Sequence, residues 1–393
     1  MKRLPISAHT ATTAVGAGLA PLLCALQEQR SGLAPVRFMD AALTTWTGEV
    51  EGVDQVAVPG DAQTFDCRNH RLAWLGLQQD GFVAAVERAR ERWGAHRVAV
   101  LLGTSTSGLL QTELAYRRRA ADGSLPTDFN YERTQNTQSL SAFVCQVLGL
   151  KGPAWVVSTA CSSSAKVFGN AARLIDAGLI DAAVVGGVDS LCLTTLHGFN
   201  SLELLAPQIC RPWDAQRHGL SIGEAAAFAL LERDCAAPHG WLLGVGESND
   251  GYHMSSPHPE GAGAVSAMRA ALDDASMQPG DIGYINLHGT ATPTNDAAED
   301  TAVGRVFGFE TPCSSTKGAT GHTLGAAGAV EAAVSLLALQ HGLLPAGLNV
   351  RTPDPALHLN YLHDNRHAPL RAVLSNSFGF GGSNASLVCG AAR

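Results

Sequence analysis

The 393-residue chain is hydrophobic at 46% of its positions and charged at only 16%, enough for two domain-sized cores or one large duplicated α/β body with helices on both faces of its sheets. A formal net charge of −8 argues against a nucleic-acid binder, because no basic stripe is present to neutralise phosphates; Arg117-Arg118-Arg119 reads as a solvated helix face. Nine scattered cysteines with no CxxC pair describe reduced thiols, and the sequence shows no run of about 18 apolar residues, so a soluble, unprocessed cytoplasmic protein without membrane insertion is expected.

In chain order, residues 21–29 read as a short amphipathic helix, and 71–92 as a longer one with Leu72, Leu75, Phe82 and Val86 on its apolar side. The Gly/Thr/Val-rich segment between them has no clear period. Residues 98–102 form a buried strand that runs into the small-residue loop Gly103-Thr-Ser-Thr-Ser-Gly108. Trp155, Val156 and Val157 form another strand. It stops at Ser158-Thr159-Ala160, after which Ala165, Phe168, Ala172 and Ile175 recur at helical spacing. Strands follow at 181–188 and 223–232, and strand, helix, strand with short connections makes a right-handed parallel unit. A soft boundary falls at Pro238-His-Gly240 and gives two halves, 1–238 and 239–393, with no flexible linker between them.

The second half repeats the alternation: a helix over 265–272, a strand over 282–287 ending at His288, and a helix capped by Asn295-Asp296. A loop from Ser314 through Lys317 and His322 then feeds an apolar helix to Leu339. Two last strands, 372–374 and 385–388, flank Ser375-Asn-Ser-Phe378-Gly-Phe380-Gly-Gly-Ser-Asn384. No residue-level internal repeat is evident.

Cys161 occupies the turn from strand to helix, where unpaired N–H groups and the helix dipole favour a nucleophilic thiolate. A small buried hydrophobe is the other reading of such a cysteine. Three loops, around His288, Lys317 to His322, and Gly379 to Gly382, each follow a strand and can gather at strand carboxyl ends, where open α/β sheets place their sites.

The ordered motifs Thr-Ala-Cys161-Ser, His288-Gly-Thr-x-Thr, Lys317-x-x-x-Gly-His322-Thr-x-Gly-Ala-Ala-Gly and Asn-Ser-Phe-Gly-Phe380-Gly-Gly-x-Asn resemble the β-ketoacyl-acyl-carrier-protein synthases, the elongating Cys-His-His condensing enzymes of the thiolase superfamily. The likeness runs from about Val98 to Val388. It implies an α/β thiolase-like duplicated fold, five-layered αβαβα, with two mixed sheets around a central helix layer. It also implies a nucleophile at Cys161, catalytic histidines at His288 and His322, and a supporting charged pair of Lys317 and Glu299. The N–H groups of Cys161 and Phe380 would form an oxyanion hole. Phe378 and Phe380 would gate an acyl pocket with Thr106 at its floor, and Ser255, Thr290 and Thr292 would contact the pantetheine arm of an acyl carrier protein.

The implied reaction joins an acyl chain held on Cys161 to malonyl-acyl-carrier-protein with loss of carbon dioxide. It requires neither metal nor organic cofactor. A degradative thiolase would place a second cysteine in the last glycine loop, and a chain-initiating synthase would have asparagine in place of His322. A chain-length-factor subunit, the non-catalytic alternative, usually lacks the nucleophile. Two departures, Ile6-Ser-Ala-His-Thr10 and Gly223-Glu-Ala-Ala-Ala227, set the chain apart from housekeeping fatty-acid enzymes. Gly103-Thr-Ser-Thr-Ser-Gly-Leu109 and Cys67-Arg-Asn-His-Arg71 are similar to ketosynthase subunits of aryl-polyene clusters, which implies a homodimer or a heterodimer with a chain-length-factor-like partner.

Overall fold

The computed structural model describes residues 2–392. Five of the main sheet's strands come from the first part of the chain: β1 (Leu4–Thr13), β2 (Val98–Gly103), β3 (Ala154–Val157), β4 (Ala182–Asp189) and β5 (Ala225–Glu232). Five come from the second: β6 (Gly240–Asn249), β7 (Tyr284–Asn286), β8 (Cys313–Ser314), β9 (Ala372–Gly379) and β10 (Ser383–Gly390). Their spatial order is β8-β7-β9-β10-β6-β1-β5-β4-β2-β3. Numbered within its own part, each set runs 3-2-4-5-1, with the first three neighbours parallel and the last two pairings antiparallel. The duplication is thus one of topology, which no side-chain repeat in the sequence displays. The two mixed sheets share one hydrogen-bonded ladder, because β1 pairs with β6 from Leu4↔Leu242 to Ile6↔Gly240.

Seven helices build the layers: α1 (Arg68–Leu77), α2 (Phe82–Trp93), α3 (Ser139–Leu148), α4 (Ser163–Asp176), α5 (Ala262–Ala275), α6 (Pro293–Phe307) and α7 (Ala327–His341). Alternation along β2 shows how one strand serves two cores. Val98, Val100 and Leu102 pack with Leu72, Phe82 and Phe143 of α1 to α3, while Ala99 and Leu101 face Phe168 of α4 and Leu336 of α7. On the far side α5 and α6 cover the second sheet through Met268 and Val303. The expected αβαβα layering results, with α4 and α7 between the sheets. Residues 324–341 have the length and hydropathy of a membrane span, yet 89% of that window is buried between the sheets.

Several boundaries differ from expectation. The single helix read over 71–92 is two, α1 and α2, because Asp80 and Gly81 take left-handed backbone conformations (φ 55° and 68°) that interrupt it. The early helix spans Leu19–Gln27. Asn295 and Asp296 do not cap α6: Thr292 stands at its N-cap with Pro293 first in the helix, and Asp296 lies within the first turn, accepting from the N–H of Ala291 (3.2 Å) and Trp213 (3.2 Å). The strands β9 and β10 run on through residues that read as loop, since Ser375, Asn376 and Ser377 are buried in a ladder with Leu387, Ser386 and Ala385.

Candidate active site

Cys161 sits between β3 and α4. The preceding Ala160 adopts φ 52°, a conformation that L-residues other than Asn and Asp rarely take. That strained residue lies in the turn that leads from the strand into the helix. The N–H groups of Phe380 and Cys161 are both directed at its sulfur. Gly379 makes this approach possible, since a Cβ there would stand 2.9 Å from the Thr159 carbonyl oxygen and 3.1 Å from the Cys161 nitrogen.

His322 is held by backbone bonds on both sides, donating its N–H to the Ser221 carbonyl (2.7 Å) and accepting at its own carbonyl from Gly223 (3.0 Å). Its Nε2 lies 3.0 Å from Cys161 Sγ, and the two histidine rings meet edge to face at 5.3 Å. The N–H of Leu324, a residue in the left-handed region (φ 53°), points at His322 Nδ1 at 3.3 Å. Lys317 Nζ stands 3.4 Å from His288 Nδ1. A neutral imidazole whose Nδ1 accepts must carry its proton on Nε2. Burial, and next the Lys317 charge, hold both imidazoles well below the usual histidine range, so both are neutral donors at physiological pH.

Burial also pushes the Cys161 thiol up, to about 11; Lys317 and the N–H of Phe380 work against that shift. The thiolate expected from the helix end alone is therefore opposed by desolvation, which the sequence position did not reveal. The sulfur and the histidine nitrogens all lie within 4.8 Å of one another, a set able to ligate a soft cation. The donors at both Nδ1 atoms keep Nε2 protonated, so metal binding would require both rings to change tautomer.

The supporting charges differ from expectation. Lys317 does not pair with Glu299. Its ammonium bonds to Glu331 of α7 and to the His288 carbonyl, all at buried positions. Glu299 instead accepts from the N–H groups of His288 and Gly289, both at 2.8 Å, and from the Asn376 amide at 3.2 Å. It orients the His288 turn, and burial raises its carboxyl to about 7. Sequence reasoning missed Glu331, although a lone carboxylate among the alanines and valines of 327–339 was a signal.

A cleft opens above Cys161, lined by both histidines, Phe378, Phe380 and all three residues assigned to the pantetheine arm, Ser255, Thr290 and Thr292. Phe199, unremarked in the sequence, joins Leu204 and Leu220 on its apolar wall and packs on Phe380 with ring centroids 5.6 Å apart. Thr106 is not among the lining residues of this chain. It is buried, and its hydroxyl (2.6 Å) and N–H (2.7 Å) both bond Asp189, which also accepts from Thr104, Ser105 and Ala326. Thr106→Val should therefore lower unfolding free energy in urea by about 1–3 kcal/mol by leaving a buried acceptor short of a donor. Its effect on short and long acyl substrates should be the same, and selective loss of long ones would return Thr106 to the pocket.

A buried cysteine on a strained turn, facing two neutral imidazole donors and two backbone N–H groups, defines a cysteine-dependent acyl-transfer enzyme on a thiolase-like fold. Residues 23–237 match the beta-ketoacyl synthase N-terminal domain and residues 239–351 the beta-ketoacyl synthase C-terminal domain. The chain belongs to the β-ketoacyl synthase family and is a condensing transferase. It is 31% identical to 3-oxoacyl-[acyl-carrier-protein] synthase 2 of Coxiella burnetii, across 98% of both chains. Nodulation protein E of Rhizobium meliloti is 38% identical across 75% of each. A solved ketosynthase (ApeO) in complex with its chain length factor (ApeC) from Xenorhabdus doucetiae superposes with a TM-score of 0.91 at 40% identity, covering 99% of this chain and 98% of that one.

Proposed function

We propose that Cys161 accepts an acyl group from acyl-carrier-protein thioester and passes it to the two-carbon unit of malonyl-acyl-carrier-protein. In the first step Sγ attacks the thioester carbonyl, the oxyanion rests between the N–H groups of Cys161 and Phe380, and the carrier thiol leaves with the proton. In the second, malonyl thioester loses carbon dioxide and its enolate oxygen is held by the Nε2–H groups of His288 and His322. The enolate carbon then attacks the acyl-cysteine carbonyl and expels the Cys161 sulfur, giving the β-ketoacyl thioester. The sulfur leaves as the thiolate and takes its proton back from solvent, so each turnover consumes one proton.

The single observation that carries this reading is the pair of fixed tautomers: two neutral N–H donors converge beside a nucleophile, the arrangement an enolate oxygen needs. A non-catalytic subunit would have no use for it. The finer reading is a cytoplasmic enzyme of aryl-polyene-type elongation that works beside a chain-length-factor-like ketosynthase. It is supported by the likeness to ApeO, solved with a chain length factor. The half-exposed apolar edge strand β3 is also open to a second chain. Incubating the protein with malonyl- and acyl-carrier-protein, saturated or polyunsaturated, should yield β-ketoacyl product with release of carbon dioxide. Absence of product with every acyl donor, alone and with a chain-length-factor-like partner, would overturn the reading.

A further inference from the structure

The loop Phe380–Gly382 carries one oxyanion donor and the ring over the cleft, yet little apolar burial holds it. Phe380 is half-buried and Gly381 exposed. Gly381 and Gly382 both take left-handed backbone (φ 78° and 72°), a conformation glycine adopts without strain, between the paired residues Gly379 and Ser383. Three of its bonds lead to the 249–254 segment: Gly381 N–H to Met254 O (2.8 Å), Asn249 Nδ2 to Gly381 O (3.0 Å) and Asp250 N–H to Gly382 O (2.9 Å). These tie the loop to the end of β6 and the segment that follows it.

The side-chain tie to the nucleophile's helix runs through one hydroxyl. Ser383 Oγ, at the loop's exit, accepts from Lys166 Nζ at 2.7 Å and from Ser162 Oγ at 3.2 Å. Ser162 directly follows Cys161, and Lys166 lies one turn further along the same face of α4. The lysine side chain is only 16% exposed, and its nearest carboxylate oxygen, on Glu247, is 3.9 Å away. A largely buried ammonium with so distant a counter-charge gains most from its short bond to Ser383.

We propose that Lys166 is a positioning residue, a latch that clamps the exit of the Phe380 loop onto α4 and so keeps the Phe380 N–H aimed at the Cys161 sulfur. This rests on the condensing reading for its catalytic consequence, but the latch itself is read without turnover. When the latch is broken the loop stands further from Sγ. Acyl transfer then slows while the sulfur of Cys161, a residue only 5% exposed when latched, becomes easier for a small reagent to reach.

The test compares Lys166→Met, Lys166→Arg and Ser383→Ala in the full chain. Condensation kinetics are followed together with iodoacetamide labelling of the Cys161 peptide, quantified by mass spectrometry. Lys166→Met should lower kcat about tenfold, part of what loss of a whole oxyanion donor costs, with KM within about twofold. Labelling of Cys161, taken as the rate constant of its thiolate from a pH–rate curve so that a change in thiol pKa is separated from access, should become several-fold faster, on the order of threefold or more, as the sulfur gains access. Lys166→Arg, which can still donate to Ser383, should restore both readouts. Ser383→Ala should match Lys166→Met, and the double variant should be no worse than either.

If labelling and turnover fall together, as in a merely destabilised protein, or if the two substitutions add, the latch is refuted. Wild-type protein that shows no condensation while the labelling still quickens in Lys166→Met would refute the condensing reading and leave the latch standing.

Discussion

Cys161→Ala should abolish covalent acylation: incubation with acyl-carrier-protein thioester adds the acyl mass to the Cys161 peptide of the wild type and to no peptide of the variant. Overall condensation should fall on the order of 10⁴-fold or more, as expected when a nucleophile is removed from a site whose parts act together. Loss of carbon dioxide from malonyl thioester should persist, because that step uses the histidine donors and not the sulfur. The geometry makes the assignment specific. Of the nine cysteines, Cys161 is the one whose sulfur lies 3.0 Å from a catalytic-histidine candidate and receives the Phe380 N–H. Burial pushes Cys67, Cys192 and Cys389 to about 12, with no cation among the causes at Cys192 or Cys389. An acyl adduct on Cys145 or Cys389 would overturn the assignment.

Lys317→Met should act chiefly on the second half-reaction. Without the ammonium at Nδ1, His288 is free to take the other tautomer, which turns an acceptor toward the enolate oxygen. Condensation and decarboxylation should drop on the order of 10²-fold or more, with acyl transfer reduced less. The same change leaves Glu331 as an uncompensated buried carboxylate, a destabilisation of about 3–5 kcal/mol. Glu331→Gln in that background should recover thermal stability and leave turnover low, separating the two effects.

The pH dependence has a definite sign. The Lys317 cation favours the thiolate of Cys161, more strongly than Glu331 opposes it, so its removal raises the thiol pKa further. The curve of Cys161 alkylation rate against pH should move to higher pH in Lys317→Met. A shift to lower pH, or full activity in the double variant, would show that Lys317 does not act through these groups.

How legible the site was depends on how each residue is recruited. Cys161, His288 and Phe380 stand in turns that follow strands and His322 in the turn after the short helix Lys317–Thr320, all inside runs of small residues where local spacing already announces a turn, and all four line one cleft. Glu331 is on a helix whose apolar pattern hid it, and it meets Lys317 across 14 positions through packing alone. The Lys317–Glu299 pairing, taken over from the family resemblance, failed because a motif match names residues without the distance between them. Thr106 does not line the cleft of this chain, and a small polar residue on a glycine-rich loop looks the same in sequence whether it lines a cavity or bonds a buried carboxylate such as Asp189. Lys166 and Ser383 are 217 positions apart and form no motif.

By itself the sequence determined the class of layer and most of the strands and helices after residue 98, because side-chain period and turn residues act over a few positions, and its motifs named the residues proposed to do the chemistry. Only the tertiary structure decided which charges meet, which tautomers the histidines hold and how far the thiol is buried. It also decided that the halves share one ladder through Leu4 to Ile6 and that each repeats a 3-2-4-5-1 order. Those features depend on distances between segments far apart in the chain, and on desolvation, which no single residue carries.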